Sequence, residues 1–226
     1  GEFVMGNPAG TVDERVPERV EIERPFWMAA CEVTNEQFHQ FAPDHDSRVE
    51  SKNTYQFGIH GYPMNLPSQP VVRVSWTEAM AFCHWLSEKS GEKFSLPTEP
   101  EWEYSCRAGT QQEYCGSDIV DNVSWNNLNS GRFFSNRPHP VATKQANAFG
   151  LYDMSGNVWE WVEDTYHDNY NGAPEDGSAW MNGKMRVLRG GSWGYDPKVG
   201  RAASRSKFTS GYRYFSYGFR LAQTLQ

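Results

Sequence analysis

The chain of 226 residues is 38% hydrophobic, 15% aromatic and 22% charged, a globular composition that excludes wholesale disorder. Its net charge of -7 excludes a general nucleic-acid binder, because phosphate contacts demand a basic face. No apolar run approaches the length of a membrane span. The chain opens on Gly-Glu-Phe rather than Met, so the lack of a targeting segment carries no information.

Nine Trp, 20 Gly and 13 Pro point to irregular backbone pinned by large aromatic anchors. Phe3-Val4-Met5-Gly6 and Arg19-Val20-Glu21-Ile22 read as two short strands around a charged turn. Thr34-Asn35-Glu36-Gln37 is a capping box, and the helix it starts carries Phe38 and Phe41 and stops by Pro43. Residues 44–69 are polar and punctuated by Pro and Gly, a long loop. Ser75-Trp76-Thr77-Glu78 is a second capping box, followed by Ala79, Phe82, Cys83 and Leu86 at helical spacing, with Gly91 as the left-handed cap. Leu96 to Glu101 is a third start signal, followed by Trp102 and Cys106, with Gly109 as the stop.

From about residue 110 the helical period disappears. Short pieces (Val123-Ser124-Trp125, Arg132-Phe133-Phe134, Pro140-Val141, Val158 to Val162, Met185 to Leu188) lie between Asn, Gly and Pro and read as short strands joined by ordered loops. The reading is a single α+β domain over 1–226, loop-rich, with two main helices in its first half. The four cysteines, Cys31, Cys83, Cys106 and Cys115, lack CxxC or zinc spacing; they permit three pairings, and free thiols stay equally open. The six histidines show no HxxxH or HExxH pattern, and Cys83-His84 are helix neighbours that point to different faces.

The C-terminal run from Arg189 to Leu221 interleaves two kinds of residue. Arg189-Gly190-Gly191-Ser192-Trp193 and Gly218-Phe219-Arg220 look structural. Gly194, Tyr195, Asp196, Val199, Gly200, Ser206, Phe208, Tyr212, Tyr214, Phe215, Ser216 and Tyr217 form the second kind. Stiff Tyr and Phe with adaptable Ser and Gly is the palette of antibody combining loops. An alternation of aromatics with Arg213 and Ser216 on a strand leaves one set facing solvent. The basic bias of this end has two readings: arginines that staple loops from inside, or a patch for an anionic ligand. Trp76, Trp102, Trp159, Trp161 and Trp193 read as core anchors.

Ordered motifs from end to end carry a resemblance: Phe3-Val4-Met5-Gly6, Glu32-Val33-Thr34-Asn35, Pro70 to Trp76, Leu96 to Tyr104, Gly150 to Trp161, Arg189 to Trp193 and Gly218-Phe219-Arg220. The chain resembles the formylglycine-generating-enzyme (sulfatase-modifying factor) domain, a variant of the C-type-lectin fold. Enzymes of that family oxidise a substrate cysteine with a copper-binding cysteine pair just after the RGGS(W/Y) motif, near the positions that Tyr195 and Gly200 hold here. No cysteine lies beyond Cys115, so neither copper nor that activity is expected. The interleaved C-terminus is similar to the variable proteins of diversity-generating retroelements, in which Tyr, Phe, Ser, Gly, Asp and Val are scattered over a fixed scaffold. Lys198, Lys207 and Arg213 fit such scattering less well.

That likeness implies a non-catalytic, extracellular or cell-surface display protein whose partner is a macromolecule: a protein or host-surface molecule first, a glycan second. The family also implies Ca2+ at Asp153, Gly156, Val158 and Glu160, two carboxylates bracketing a Gly-containing turn. The competing reading pairs those acids with Arg189 or Arg220. No counterpart of the family's other calcium site is expected near Trp125 to Asn136.

Overall fold

Three helices start where a hydroxyl closes the first turn. In the computed structural model, which describes residues 1–15, 17–48, 64–131 and 136–225, they are α1 (Asn35–His39), α2 (Trp76–Ser90) and α3 (Glu99–Arg107). Thr34, Ser75 and Thr98 each accept from the N–H three residues on, and Gln37, Glu78 and Glu101 reach back to the cap's own N–H. Gly91 ends α2 at φ 78°. Helix α3 stops one residue before the expected Gly109, because Ala108 itself takes the left-handed conformation at φ 45°.

Two other expectations change. Val120–Val123 is a single helical turn, α4, because Ser124 donates back to the Val120 carbonyl; Ser124, which follows it, is extended. Pro140-Val141 leads into a turn at Ala142 (φ 60°), whose N–H donates to Asp153. The expected piece Arg132-Phe133-Phe134 and much of the 44–69 loop lie outside the described residues.

Strands β1 (Glu2–Met5) and β2 (Glu18–Glu21) form an antiparallel pair. After β3 (Phe26–Met28) come β4 (Trp159–Thr165), β5 (Arg186–Arg189), β6 (Arg205–Phe208), β7 (Tyr217–Phe219) and β8 (Ala222–Thr224). The main sheet has the order β6-β5-β4-β7, with β7 parallel to β4, and β3 pairs with β8. The buried face of α2 (Ala79, Phe82, Cys83) packs on Trp161, Leu188 and Phe219, with the Phe82 ring 5.5 Å from both Phe38 and Phe219. Each such aromatic side chain contributes about 1.5–3 kcal/mol by leaving water. A second cluster gathers Trp102, Val162, Val187 and Ala202 around the disulfide Cys106–Cys115.

The arginines decide between the two readings of the basic end. Arg189 donates to Glu99 and Glu103, Arg205 makes a two-pronged bond to Glu99, and Arg220 does the same to Glu160. All three guanidinium groups are buried. Burial alone would raise the Glu99 carboxyl, but Arg205 and Arg189 outweigh it and hold it below the usual carboxylate range. These residues staple the loops from inside.

Candidate functional site

The RGGSW motif builds the floor of the site. Strand β5 ends at Arg189, and Gly190 and Gly191 turn the chain at φ 93° and 74°. A Cβ on Gly191 would lie 2.9 Å from the backbone of Gly200, so only glycine fits that crossing. Trp193 is buried beyond the turn. The Asp196 carboxylate then accepts from the Lys198 N–H, which starts a 3-10 turn over Pro197–Gly200.

The loop from 209 to 216 is fastened to constant backbone along its length. Thr77 donates to the Ser210 carbonyl, Arg73 to that of Tyr214 and Trp159 to that of Ser216, at 3.2, 3.0 and 2.8 Å. Arg213 reaches the Glu78 carboxylate at 2.6 Å. That carboxylate also caps Ser75, so the loop is tied to the first turn of α2.

On this frame the rings form one row. Phe208 stacks on Tyr212 at 4.5 Å and 15°, Tyr212 on Tyr214 at 5.9 Å and 26°, and Tyr214 meets Phe215 at 4.1 Å and 37°. Tyr217 lies beneath, tilted 54–58° to Phe208, Tyr212 and Tyr214. Phe215 rests against Trp193 at 5.3 Å, and Tyr195 stands edge-on to Trp159 at 6.0 Å. The Tyr195 phenol is pushed up to about 12, by burial first and then by its contact with the Tyr214 phenol. It therefore remains a hydrogen-bond donor at any physiological pH.

Gly194, Asp196, Phe208 and Tyr212 are exposed, whereas Tyr195, Val199, Ser206, Tyr214 and Phe215 are half-buried. Three members of the expected contact set need correction. Gly200 is buried under Gly190, Ser216 is 0% exposed and Tyr217 is 2% exposed. They support the site from below and cannot touch a macromolecule. The alternation argument misplaced them, because residues 212–216 are loop and the strand starts only at Tyr217. Val199 lines a separate cleft with Lys198 and Arg201. Conversely, Thr209, Ser210, Gly211 and Arg213 are exposed in the loop that carries the row, whereas the exposed Lys207 leans over the Tyr166 ring, on the opposite face of β6 from Phe208. Among these, a Cβ on Gly211 meets nothing within 4 Å. The two glycines flanking the rings differ only in tertiary surroundings, so no local signal separates Gly211 from Gly200.

The second candidate site is a buried acidic cluster of Glu32, Asp153 and Glu160. Asp153 is buried at φ 59°; its Oδ2 accepts from Ala142 N–H, and its Oδ1 has no partner among the described residues. Burial pushes Asp153 up to about 6. Glu32 is driven well above the carboxylate range, by burial first and then by Asp153 and Glu160. Both oxygens of Glu160 already receive Arg220, and Oε2 also receives the Trp102 indole N–H. The acid at this end of the expected set is thus an ion-pair partner of Arg220, the competing reading. Among the described residues no group of three or more His, Cys, Asp or Glu side chains is arranged to hold a metal ion. A cation here must draw on backbone carbonyls as well as Asp153.

The cysteines do not approach the ring row as a pair. Cys106 and Cys115 are joined to each other, Cys83 is buried with its thiol pushed up to about 12, and Cys31 is raised to about 11, each mainly by burial. Thiols held that high carry little thiolate at neutral pH. Positions 195 and 200, just past the RGGSW turn, are Tyr and Gly.

The fold is an α+β fold of the formylglycine-generating-enzyme and C-type-lectin-like kind. The chain belongs to the family described as sulfatase-modifying factor enzyme 1-like domain, whose model matches residues 1–225. It is similar to the serine/threonine-protein kinase pkn1 of Chlamydia caviae, 33% identical over 99% of this chain, of which it spans only 37%. It is 29% identical to a formylglycine-generating enzyme of Streptomyces coelicolor, covering 98% of this chain and 86% of that protein. It is also 35% identical to the bovine (Bos taurus) inactive C-alpha-formylglycine-generating enzyme 2, covering 93% and 79%. The family thus holds active and inactive members. Among solved structures, Treponema denticola variable protein 1 matches with a TM-score of 0.84 and 26% identity, covering 100% of this chain and 92% of that one. No helix among the described residues is long and apolar enough to cross a membrane.

Proposed function

We propose that this chain is a non-catalytic binding protein that displays its C-terminal aromatic row to a macromolecular partner, as the variable protein of a diversity-generating retroelement would. The observation that carries the reading is the row itself: Phe208, Tyr212, Tyr214, Phe215 and Tyr195 gather on one surface while Tyr217, Trp193 and Trp159 hold them from below. A contiguous aromatic patch normally marks an interaction site. The patch is a row rather than an enclosure, which suits a protein or host-surface partner, with a glycan second. The likeness to a variable protein supports the reading. The disulfide Cys106–Cys115 favours an extracellular or cell-surface location, since such bonds persist in oxidising compartments.

The test is to randomise Tyr195, Phe208, Tyr212, Tyr214 and Phe215 together and select for binding to unrelated protein targets. Folded, target-specific variants are expected; a library whose members fail to fold, or bind nothing, overturns the reading. The oxidase alternative requires a thiol pair where Tyr195 and Gly200 stand. Incubation with copper, oxygen and a cysteine peptide should yield no aldehyde, and turnover would restore that alternative.

A structural Ca2+ ion is part of the same proposal. Asp153, with its unpartnered buried oxygen, and the carbonyls of Gly156 and Val158 would hold it; Glu160 would contribute charge while remaining on Arg220. The ion would supply rigidity and offset the Glu32–Asp153 repulsion. Calorimetry at pH 7 should show Ca2+ raising Tm in the parent and leaving Asp153→Ala unmoved.

A further inference from the structure

The cleft between the 6–11 loop and residues 198–205 carries polar atoms that the fold leaves unused. It encloses about 920 Å³ and is lined also by Gln111, Gln112, Glu113 and Asp118. Arg107 lines it while only 9% exposed. Its Nε and Nη2 donate to the Glu103 carboxylate at 2.9 and 2.7 Å, and Nη2 also donates to the Gly6 carbonyl. Its Nη1 has no hydrogen-bond partner among the described residues. Ser204, 6% exposed, lines the same cleft. Its N–H donates to the Arg201 carbonyl, but its hydroxyl bonds nothing among the described residues. Two fixed donors on nearly buried residues thus border one opening, and such groups cost free energy unless water or a ligand meets them.

The charge behind these donors is unbalanced. Arg107, Arg189 and Arg205 share the two carboxylates of Glu99 and Glu103, all of them buried, which leaves one positive charge in excess. Arg201 is neutralised by its own partner, Glu14. Asp164, next to Glu99, is raised to about 8 by burial and then by Glu99, so it is mostly protonated at neutral pH. Asp13 is half-buried and held by the Tyr166 and Thr11 hydroxyls rather than by a guanidinium. Arg107 is the member of the network whose open nitrogen borders the cleft, and the exposed Lys198 adds a cation at the rim. Water can take either hydrogen bond but cannot offset the charge. Against this, Glu113 and Asp118 stand exposed on the opposite wall and would repel a ligand carrying several negative charges.

We infer that this cleft is a second binding site, for a small hydroxylated monocarboxylate such as a sugar acid, its carboxylate received by Arg107 Nη1 and the Ser204 hydroxyl. The body of the ligand lies against Asn7, Gln111 and Gln112, whose amides pair with hydroxyl groups. No lining residue is aromatic, and the aliphatic ones are Val199, Pro8 and alanines, so an apolar body gains little here. The site is separate from the aromatic row, and neither reading depends on the other.

The experiment titrates the intact chain at pH 7 with glucuronate, glucose, benzoate and inorganic phosphate, read by calorimetry. Glucuronate should bind with a dissociation constant of about 1 mM or tighter, and the other three much more weakly. Ser204→Ala removes a hydroxyl that no other part of the fold uses, so Tm should hold. Glucuronate binding should then fall about tenfold or more, the usual effect of losing a hydrogen bond to a charged group. Arg107→Gln should abolish binding, and because it also disturbs Glu103 its Tm is expected to drop. Glucose binding as well as glucuronate, or glucuronate binding unmoved by Ser204→Ala, overturns the carboxylate site. Preference for phosphate or benzoate overturns the ligand class, and no binding of any probe at about 10 mM overturns the inference as a whole.

Discussion

Truncating Tyr217 to alanine removes the ring on which the exposed row rests. Tyr217 is 2% exposed, with ring centres of Phe208, Tyr212 and Tyr214 at 5.5, 6.1 and 5.3 Å, and Trp161 edge-on at 5.5 Å. Trp161 cannot move to fill the space, because it is itself fully buried and held by its indole bond to the Val74 carbonyl. An aromatic-to-alanine change in such a site costs about 3–5 kcal/mol. For a chain of this length each kcal/mol lowers Tm by about 2–4 °C, so the variant should melt roughly 6–20 °C lower. Tyr212, 36% exposed, belongs to the outer row, and Tyr212→Ala should cost about 1 kcal/mol or less. Urea unfolding followed by tryptophan fluorescence compares the two in one series. Equal costs, or a Tyr217→Ala cost near 1 kcal/mol, would refute the division between supporting and displayed rings.

Breaking the buried pair by Arg220→Met leaves Glu160 beside Glu32 and Asp153 without a counter-charge, and should cost about 3–5 kcal/mol in the same assay. Gly191→Ala should lose about 2 kcal/mol or more, because its Cβ meets the Gly200 backbone at 2.9 Å and its φ is 74°. Gly211→Ala, with open space and no left-handed φ, should be neutral or gain about 0.4–1 kcal/mol through the unfolded state. Burial first, then Glu99, raises Asp164 to about 8 in the fold from an ordinary value of 3.8. The folded state therefore binds the extra proton, and stability should rise by about 1 kcal/mol as pH falls from 8.5 to 7. In Asp164→Asn that rise should shrink, as read from urea midpoints at the two pH values.

The local parts of this molecule were legible in its residues. The capping boxes at Thr34 and Ser75 and the αL cap at Gly91 involve side chains within a few positions of one another, so spacing alone locates them. Trp102, Trp161 and Trp193 lie in the core, as their motifs implied. The rest depends on distant chain. Tyr212 and Tyr217 are the same residue type five positions apart, and only the pairing of β7 with β4 buries one of them. The arginines read as internal staples, with a surface patch as the alternative, and only Glu99, Glu103 and Glu160, arriving from α3 and β4, decide between them. The pairing of Cys106 with Cys115 was one of several open possibilities, and the turn at Ala108 carried no glycine to announce it.

A scan of every substitution from residue 189 to 221, displayed on cells and sorted by protease resistance, measures directly how the C-terminus divides. The account predicts that Tyr195, Asp196, Ser206, Phe208, Gly211, Tyr212 and Tyr214 accept most replacements, while Gly191, Gly200, Ser216, Tyr217, Gly218 and Arg220 accept almost none. Uniform intolerance across both groups would make the aromatic row ordinary core packing, and the display role would fall with it.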